Sequence, residues 1–248
     1  GQHAPRDSFP LLFKLLDCNR NLSVQVHPND EQGAKLDPPD LGKTEAWVIL
    51  DAEPGSKIYA GLKSGVDREE LEKCVRQGET EKCLHVIEPH VGDCVFIPAG
   101  TVHALGAGLL VAEIQQASDT TFRLFDWNRV DADGQSRQLH VEQSLAVIDY
   151  DRGPVEPQTP RPVGQTDTER LVECDKFILD RRRISHKAKI VCDNRFHILS
   201  VLRGELKVAG DPCESPLTRG QTLLLPAELG EVELENSADV ELLDMYLP

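Results

Sequence analysis

Basic side chains are in short supply: 27 Lys and Arg stand against 42 Asp and Glu, a formal net charge of −15 at pH 7. A surface of that sign repels phosphodiester backbones and anionic headgroups, which argues against nucleic acid or a membrane surface as partner. Long apolar runs are lacking as well. Pieces such as Leu105 to Ala112 are the longest, well short of the ~20 residues needed to span a bilayer. The start, Gly1 to Asp17, has no charged segment followed by an apolar core and a small-residue cleavage site, so secretion has no support there. There is no CxxC pair among the seven cysteines, Cys18, Cys74, Cys83, Cys94, Cys174, Cys192 and Cys213, which are scattered and odd in number. Free thiols in a reducing cytoplasm are the expectation.

What is there is a folded, loop-rich chain of 248 residues, 40% apolar and 28% charged, with 18 Gly and 16 Pro. That length allows one or two domains. Between the glycines and prolines the segments are short and β-rich, as in Gly92 to Pro98 and Thr120 to Phe125, which predicts an all-β sandwich or barrel. Two stretches depart from this. Asp67 to Gln77 predicts an amphipathic helix, with Leu71, Cys74 and Val75 on one side and Gly78 as its stop; His140 to Tyr150 places Val141, Leu145 and Ile148 at helical spacing. Pro154, Pro157, Pro160 and Pro162 crowd the stretch 151–169, which reads as a linker or surface crossing between residues 1–150 and 170–248. Strand-like runs resume beyond it: Phe196 to Leu202, Glu205 to Val208, Thr222 to Pro226 and Val232 to Glu235.

One spacing recurs. Gly92, Pro98 and His103 are matched by Gly220, Pro226 and Glu231. The first copy ends on an imidazole and the second on a carboxylate, so the pattern predicts a duplicated β-barrel with one working site.

The candidate site assembles from alternation. In Leu22 to Pro28 the period of two puts Ser23, Gln25 and His27 on one face, and Leu22, Val24 and Val26 on the other. Lys43 and Glu45 alternate onto a common face before the apolar run Ala46 to Leu50, and His103 follows the Pro98 to Thr101 turn. Gln25, His27, Glu45 and His103 together offer two imidazoles, a carboxylate and an amide oxygen, a donor set suited to a divalent ion such as Zn²⁺. His85 and His90 fall off this spacing, and Arg181 to Arg183 read as a solvated basic face. Trp47 reads as core, and Trp127 is left open.

Four motifs in order carry a resemblance. Gly92 to His103 resembles the second cupin signature. Ser23 to Asp30, Gly42 to Trp47, Ile97 to Ala104 and Glu113 to Arg123 resemble the type I phosphomannose isomerases, in their short bacterial form. The resemblance covers most of residues 8 to 150 and, more faintly, the tail. It implies a mainly β fold of tandem cupin-type jelly-roll barrels with a few short helices. Residues 1–150 would be the metal-binding catalytic domain and 170–248 a degenerate second barrel. It also implies a zinc-dependent interconversion of mannose 6-phosphate and fructose 6-phosphate, with one zinc per chain on Gln25, His27, Glu45 and His103.

Sugar and phosphate would bind at Ser23, Lys43 and Arg123, which places cationic donors against a dianion. An aldose to ketose isomerisation passes through an enediol and needs a group that moves the proton and positive charge at the oxyanion. Arg123 serves the charge; Glu113 is the candidate for the proton, with a water on the metal as its competitor and an orienting role as its alternative. Asp119 reads as a turn acceptor. The chain starts at Gly1, where the short family form has a preceding segment of sheet, so a missing segment is an expectation too. Two other readings compete: a non-catalytic sugar-phosphate-binding cupin, and a different metal-dependent cupin enzyme such as an iron dioxygenase.

Overall fold

The computed structural model describes residues 1–164, 167–213, 215–236 and 238–248 and divides into two compact units. One is Pro10–Pro157; the other joins Gly1–Phe9 to Gln158–Pro248.

The strands of the Pro10–Pro157 unit are β1 (Leu11–Cys18), β2 (Val24–Val26), β3 (Glu45–Ala52), β4 (Ile58–Leu62), β5 (Leu84–Ile87), β6 (Cys94–Ile97), β7 (His103–Leu105), β8 (Leu109–Gln116) and β9 (Phe122–Phe125). Its helices are α1 (Asp30–Gly33), α2 (Arg68–Arg76) and α3 (Val141–Val147). The strands make two antiparallel sheets, ordered β1-β8-β3-β6 and β5-β4-β7-β2-β9. Apart from β4 and β5, which pair with each other in one sheet, successive strands alternate between the sheets, which is jelly-roll topology.

Side-chain alternation then decides what each face meets. Trp47 and Ile49 of β3, Val95 and Ile97 of β6 and Val111 of β8 pack against Ile58 and Ala60 of β4 and Leu105 of β7 between the sheets. The outer face of the five-stranded sheet, with Val24, Val26, Tyr59, Ala104 and Leu124, is covered by Leu71 of α2 and Leu145 of α3. Val24 and Val26 therefore point away from Gln25, as alternation requires. Leu22, which precedes the strand, packs with the inter-sheet cluster instead.

The helix α2 forms where expected. Asp67 caps it by accepting from the Glu70 amide, Glu69 and Glu70 sit in the first turn, and Gly78, at φ +69°, follows the C-cap Gln77. The second helix is shorter than its sequence pattern. It ends at Val147 because Ile148 is extended and the Asp149 amide donates to the Gly100 carbonyl at 2.9 Å. The start of the proline-rich stretch is strapped to the sheet: the Val155 amide donates to Ala60, and Pro154 bridges to Gly61. Gly61 has φ +79°, and a Cβ there would lie 2.2 Å from the Gly153 carbonyl oxygen, so only glycine allows this approach.

In the other unit the strands are β10 (Arg161–Pro162), β11 (Thr168–Glu173), β12 (Ile178–Ile184), β13 (Lys187–Val191), β14 (His197–Arg203), β15 (Lys207–Val208), β16 (Thr222–Leu225), β17 (Glu231–Glu235) and β18 (Val240–Tyr246). They form sheets ordered β10-β11-β12-β18-β14-β16 and β13-β17-β15 around Ile190, Leu199, Val201, Leu206, Leu234 and Leu242. The repeated spacing is visible in both units as strand, proline turn, strand: β6, Pro98, β7 in one and β16, Pro226, β17 in the other. Glu231, which holds the place of His103, lies on the surface and pairs with Lys189 at 2.6 Å. Arg181 to Arg183 lie on β12, where Arg183 is exposed as expected, but Arg181 is buried against Glu169 and Arg182 pairs with the buried Asp244.

Leu71 is fully buried under α2. Truncating it to Ala should cost about 2–5 kcal/mol, against about 1 kcal/mol for removing the cap with Asp67→Ala. Urea denaturation of both variants measures this, and a Leu71→Ala loss no larger than the cap's would contradict the packing assigned to α2.

Candidate metal centre

Strand register brings the candidate ligands together. Gln25 of β2 pairs with His103 of β7, so both side chains project on the same face of the five-stranded sheet, into the inter-sheet space. Glu45 opens β3 on the opposite sheet, paired with Ile97 on one side and Gln115 on the other. His27 lies one residue past β2 and Lys43 two before β3. A ligand set split between two facing sheets is held by the packing of both.

His27, Glu45 and His103 are each about 1% exposed, and their donor atoms lie within 4.8 Å of one another. His27 Nε2 is 3.4 Å from Glu45 Oε1, and His103 Nε2 is 3.5 Å from Glu45 Oε2. The Gln25 amide reaches to 3.3 Å from His103 Nε2. The second ring nitrogens are tied down: His27 Nδ1 lies 2.8 Å from the Thr120 carbonyl oxygen and His103 Nδ1 2.8 Å from that of Thr101. A carbonyl only accepts, so each Nδ1 carries the hydrogen and each Nε2 lone pair faces Glu45. Burial holds both imidazoles below their usual pKa, His27 well below, with His103 and Lys43 adding to the effect on His27. Both rings are therefore neutral at pH 7. Trp47 backs the cluster, edge-on to His103 with ring centroids 5.3 Å apart.

These atoms pass a test of fit for a cation. His27 Nε2 and both carboxylate oxygens of Glu45 are buried without a hydrogen-bond partner. Leaving a buried acceptor unsatisfied costs about 1–3 kcal/mol, more when it is charged. Lys43 Nζ stands 3.2 Å from Glu45 Oε1 but without hydrogen-bond geometry, and it reaches only that one oxygen. A divalent cation among the three side chains would use all of the stranded lone pairs.

The remaining candidates divide into two groups. Glu113 of β8 is buried, accepting from Lys14 Nζ at 2.9 Å and from the Trp47 indole at 2.9 Å. Burial, with the nearby charge of Glu45, raises its pKa, while Lys14 opposes the rise. Arg123 of β9 donates to Ser23 Oγ at 3.2 Å and to the Gln138 carbonyl at 3.0 Å. Ser23 and Lys43 are both nearly buried. Asp119 is exposed and accepts nothing in the turn; its amide donates to Asp40.

Three contributors went unseen in the sequence. Lys14 meets Glu113 only through the β1–β8 register, Asp40 sits in the loop between two candidate ligands, and the Thr120 carbonyl is backbone and leaves no residue signature. His85 pairs with Glu156 and His90 with Asp93, away from the cluster. Trp127 donates to the Leu22 carbonyl and packs on Tyr59 and Phe125.

Jelly-roll units, one with a buried His, Glu and His cluster between its sheets, define a cupin with a candidate metal centre. Residues 2–59 match the phosphomannose isomerase type I catalytic domain and residues 167–242 the mannose-6-phosphate isomerase cupin domain. The mannose-6-phosphate isomerase ManA of Bacillus subtilis is 39% identical over 235 residues, covering 94% of this chain and 74% of that protein. The mannose-6-phosphate isomerase of Streptococcus mutans is 33% identical over 236 residues, 94% and 73% of the two chains. The crystal structure of the mannose 6-phosphate isomerase from Bacillus subtilis superposes with a TM-score of 0.88 at 29% identity, covering 98% of this chain and 77% of that one. The chain belongs to the mannose-6-phosphate isomerase family, whose members are aldose–ketose isomerases.

Replacing His103 by Ala should abolish tight binding of a divalent cation, whereas Trp47→Phe, which removes the indole donor to Glu113 and part of the buried ring but no ligand atom, should leave it intact. Equilibrium dialysis against Zn²⁺ reads both; a His103→Ala variant that still binds one equivalent with wild-type affinity would remove the cluster from consideration.

Proposed function

We propose that this chain is a zinc-dependent isomerase that interconverts mannose 6-phosphate and fructose 6-phosphate through an enediol. The observation that carries the reading is the buried cluster of His27, Glu45 and His103 with its unsatisfied acceptors, in a chain of this family. The donor set favours zinc, because imidazole nitrogen and a carboxylate suit it while Mg²⁺ and Ca²⁺ prefer oxygen throughout. Gln25 completes the set. A half-turn of its amide exchanges nitrogen for oxygen and presents an acceptor beside His103. The bound ion would supply a Lewis acid for the hydroxyl and carbonyl oxygens of the sugar.

The chain's own groups do the rest. Arg123, its guanidinium oriented by Ser23 and Gln138, and Lys43 supply positive charge for the phosphate and for the developing oxyanion. Ser23 adds a hydroxyl on the same face. Glu113 moves the proton between the two sugar carbons; its raised pKa brings it toward the range useful for a base. Its bonds to Lys14 and Trp47 favour a second reading, in which it holds the Lys14 ammonium in place.

We place the site in residues 1–150 and read 151–169 as a crossing and 170–248 as a second barrel without a working centre. The support for that last reading is Glu231 on the surface in place of His103. The seven cysteines, none of them in a disulfide, support a cytoplasmic compartment. Among the described residues no helix is long and apolar enough to cross a membrane.

A coupled assay of mannose 6-phosphate to fructose 6-phosphate conversion tests the proposal. Turnover should vanish on chelation and return with zinc. Arg123→Ala should keep its zinc and lose at least about 10²-fold in rate, and Glu113→Gln should lose about 10²–10⁴-fold if the carboxylate moves the proton. Zinc bound without any turnover would favour the binding-only cupin, and normal turnover in Arg123→Ala would overturn its role.

A further inference from the structure

The loop between His27 and Glu45 is stitched by two carboxylates to the end of β8 and to the turn that follows it. Asp30 Oδ1 accepts from Gln116 Nε2 at 2.9 Å and from the Gly42 amide at 2.8 Å. Asp40 does more. Its Oδ2 accepts from Ser118 Oγ at 2.7 Å, Thr120 Oγ1 at 2.6 Å and the amides of Asp119 and Thr120, both at 3.2 Å, while Oδ1 takes the Leu41 amide at 2.7 Å. One carboxylate thus gathers both hydroxyls and two amides of the Ser118 to Thr120 turn. From that turn the Thr120 carbonyl accepts from His27 Nδ1 at 2.8 Å.

We infer that Asp40 is a positioning residue for His27: it fixes the turn whose carbonyl selects the Nδ1–H tautomer and so aims the Nε2 lone pair at Glu45. The neutral ring has two tautomers, and only the one with a bare Nε2 can bind a cation through that atom. Nothing else on the Asp40 side chain touches the cluster. Its effect on cation affinity rests on the metal reading above; its effect on the tautomer does not. Outer partners of this kind are worth about 10–100-fold in metal affinity.

The test is made on the metal-free full chain with ¹⁵N-labelled histidine, followed by titration with Co²⁺. Wild type should show His27 as the Nδ1–H tautomer. Asp40→Ala should show a mixture of tautomers and bind Co²⁺ about tenfold or more weakly, with the metal-free backbone spectrum preserved outside the turn. Glu31→Gln, which removes an exposed charge from the same loop, controls for net charge and should match wild type in both readouts. If Asp40→Ala fails to fold, Thr120→Val removes one of the five bonds and should shift both readouts in the same direction. An Asp40→Ala protein with an unshifted tautomer and Co²⁺ affinity within twofold of wild type would overturn the inference. Wild type that binds no Co²⁺ would instead sink the metal reading, while the tautomer spectra would still decide the role of Asp40.

Discussion

The Pro10–Pro157 unit is arranged around a buried carboxylate that has no hydrogen-bond donor of its own. Glu45 sits between two neutral imidazoles with neither oxygen in a hydrogen bond, and its ion pair with the Lys43 ammonium, 3.2 Å away, reaches one oxygen alone. A buried carboxylate in that condition is costly unless a further cation joins it. Removing Glu45 would relieve the cost and destroy the site, so the cost is itself a statement about function. The rest of the unit keeps the three donor groups close: two sheets, each supplying part of the set, are locked together by the core of Trp47, Ile49, Ile58, Val95, Ile97 and Leu105.

Precision comes from the groups behind the ligands. His27 and His103 each donate their far nitrogen to a backbone carbonyl, and each carbonyl belongs to a turn fixed elsewhere. For His103 that turn is the Pro98 to Thr101 corner, tied to the five-stranded sheet's helix cover through Gly100 and Asp149. For His27 it is the Ser118 to Thr120 turn, gathered by Asp40. Glu113 and Trp47 form a second layer that faces the cluster and carries Lys14. In this acidic chain of net charge −15, Lys14 stands against Glu113 and Lys43 against Glu45, so positive charge is set beside both buried carboxylates.

Much of this is legible in the sequence. Strict alternation in Ser23 to His27 placed Gln25 and His27 on one face, and the Gly92, Pro98, His103 spacing announced strand, turn and strand. Alternation puts Glu45 and Lys43 on a common face, while the proximity of Glu45 to both imidazoles is the work of strands from two facing sheets. Lys14 was silent because the β1–β8 pairing that delivers it to Glu113 spans 99 residues. Asp40 leaves no signal because four of its five bonds are made to the hydroxyls and amides of a turn 78 to 80 residues away. The reading of Arg181 to Arg183 as solvated holds for Arg183 and fails for Arg181 and Arg182 for a related reason, since their acidic partners Glu169 and Asp244 arrive from neighbouring strands. Helix α3 ran shorter than its periodicity because a tertiary bond to Gly100 captured Asp149 first.

Anomalous X-ray diffraction at the zinc absorption edge, on crystals of the purified full chain, tests the central claim most directly. The account predicts one strong anomalous peak per chain, enclosed by His27 Nε2, His103 Nε2 and the Glu45 carboxylate and in contact with the Gln25 amide. A crystal with zinc bound at other residues and none at this cluster, or an ordered Glu45 satisfied by Lys43 alone in the presence of excess zinc, would contradict it.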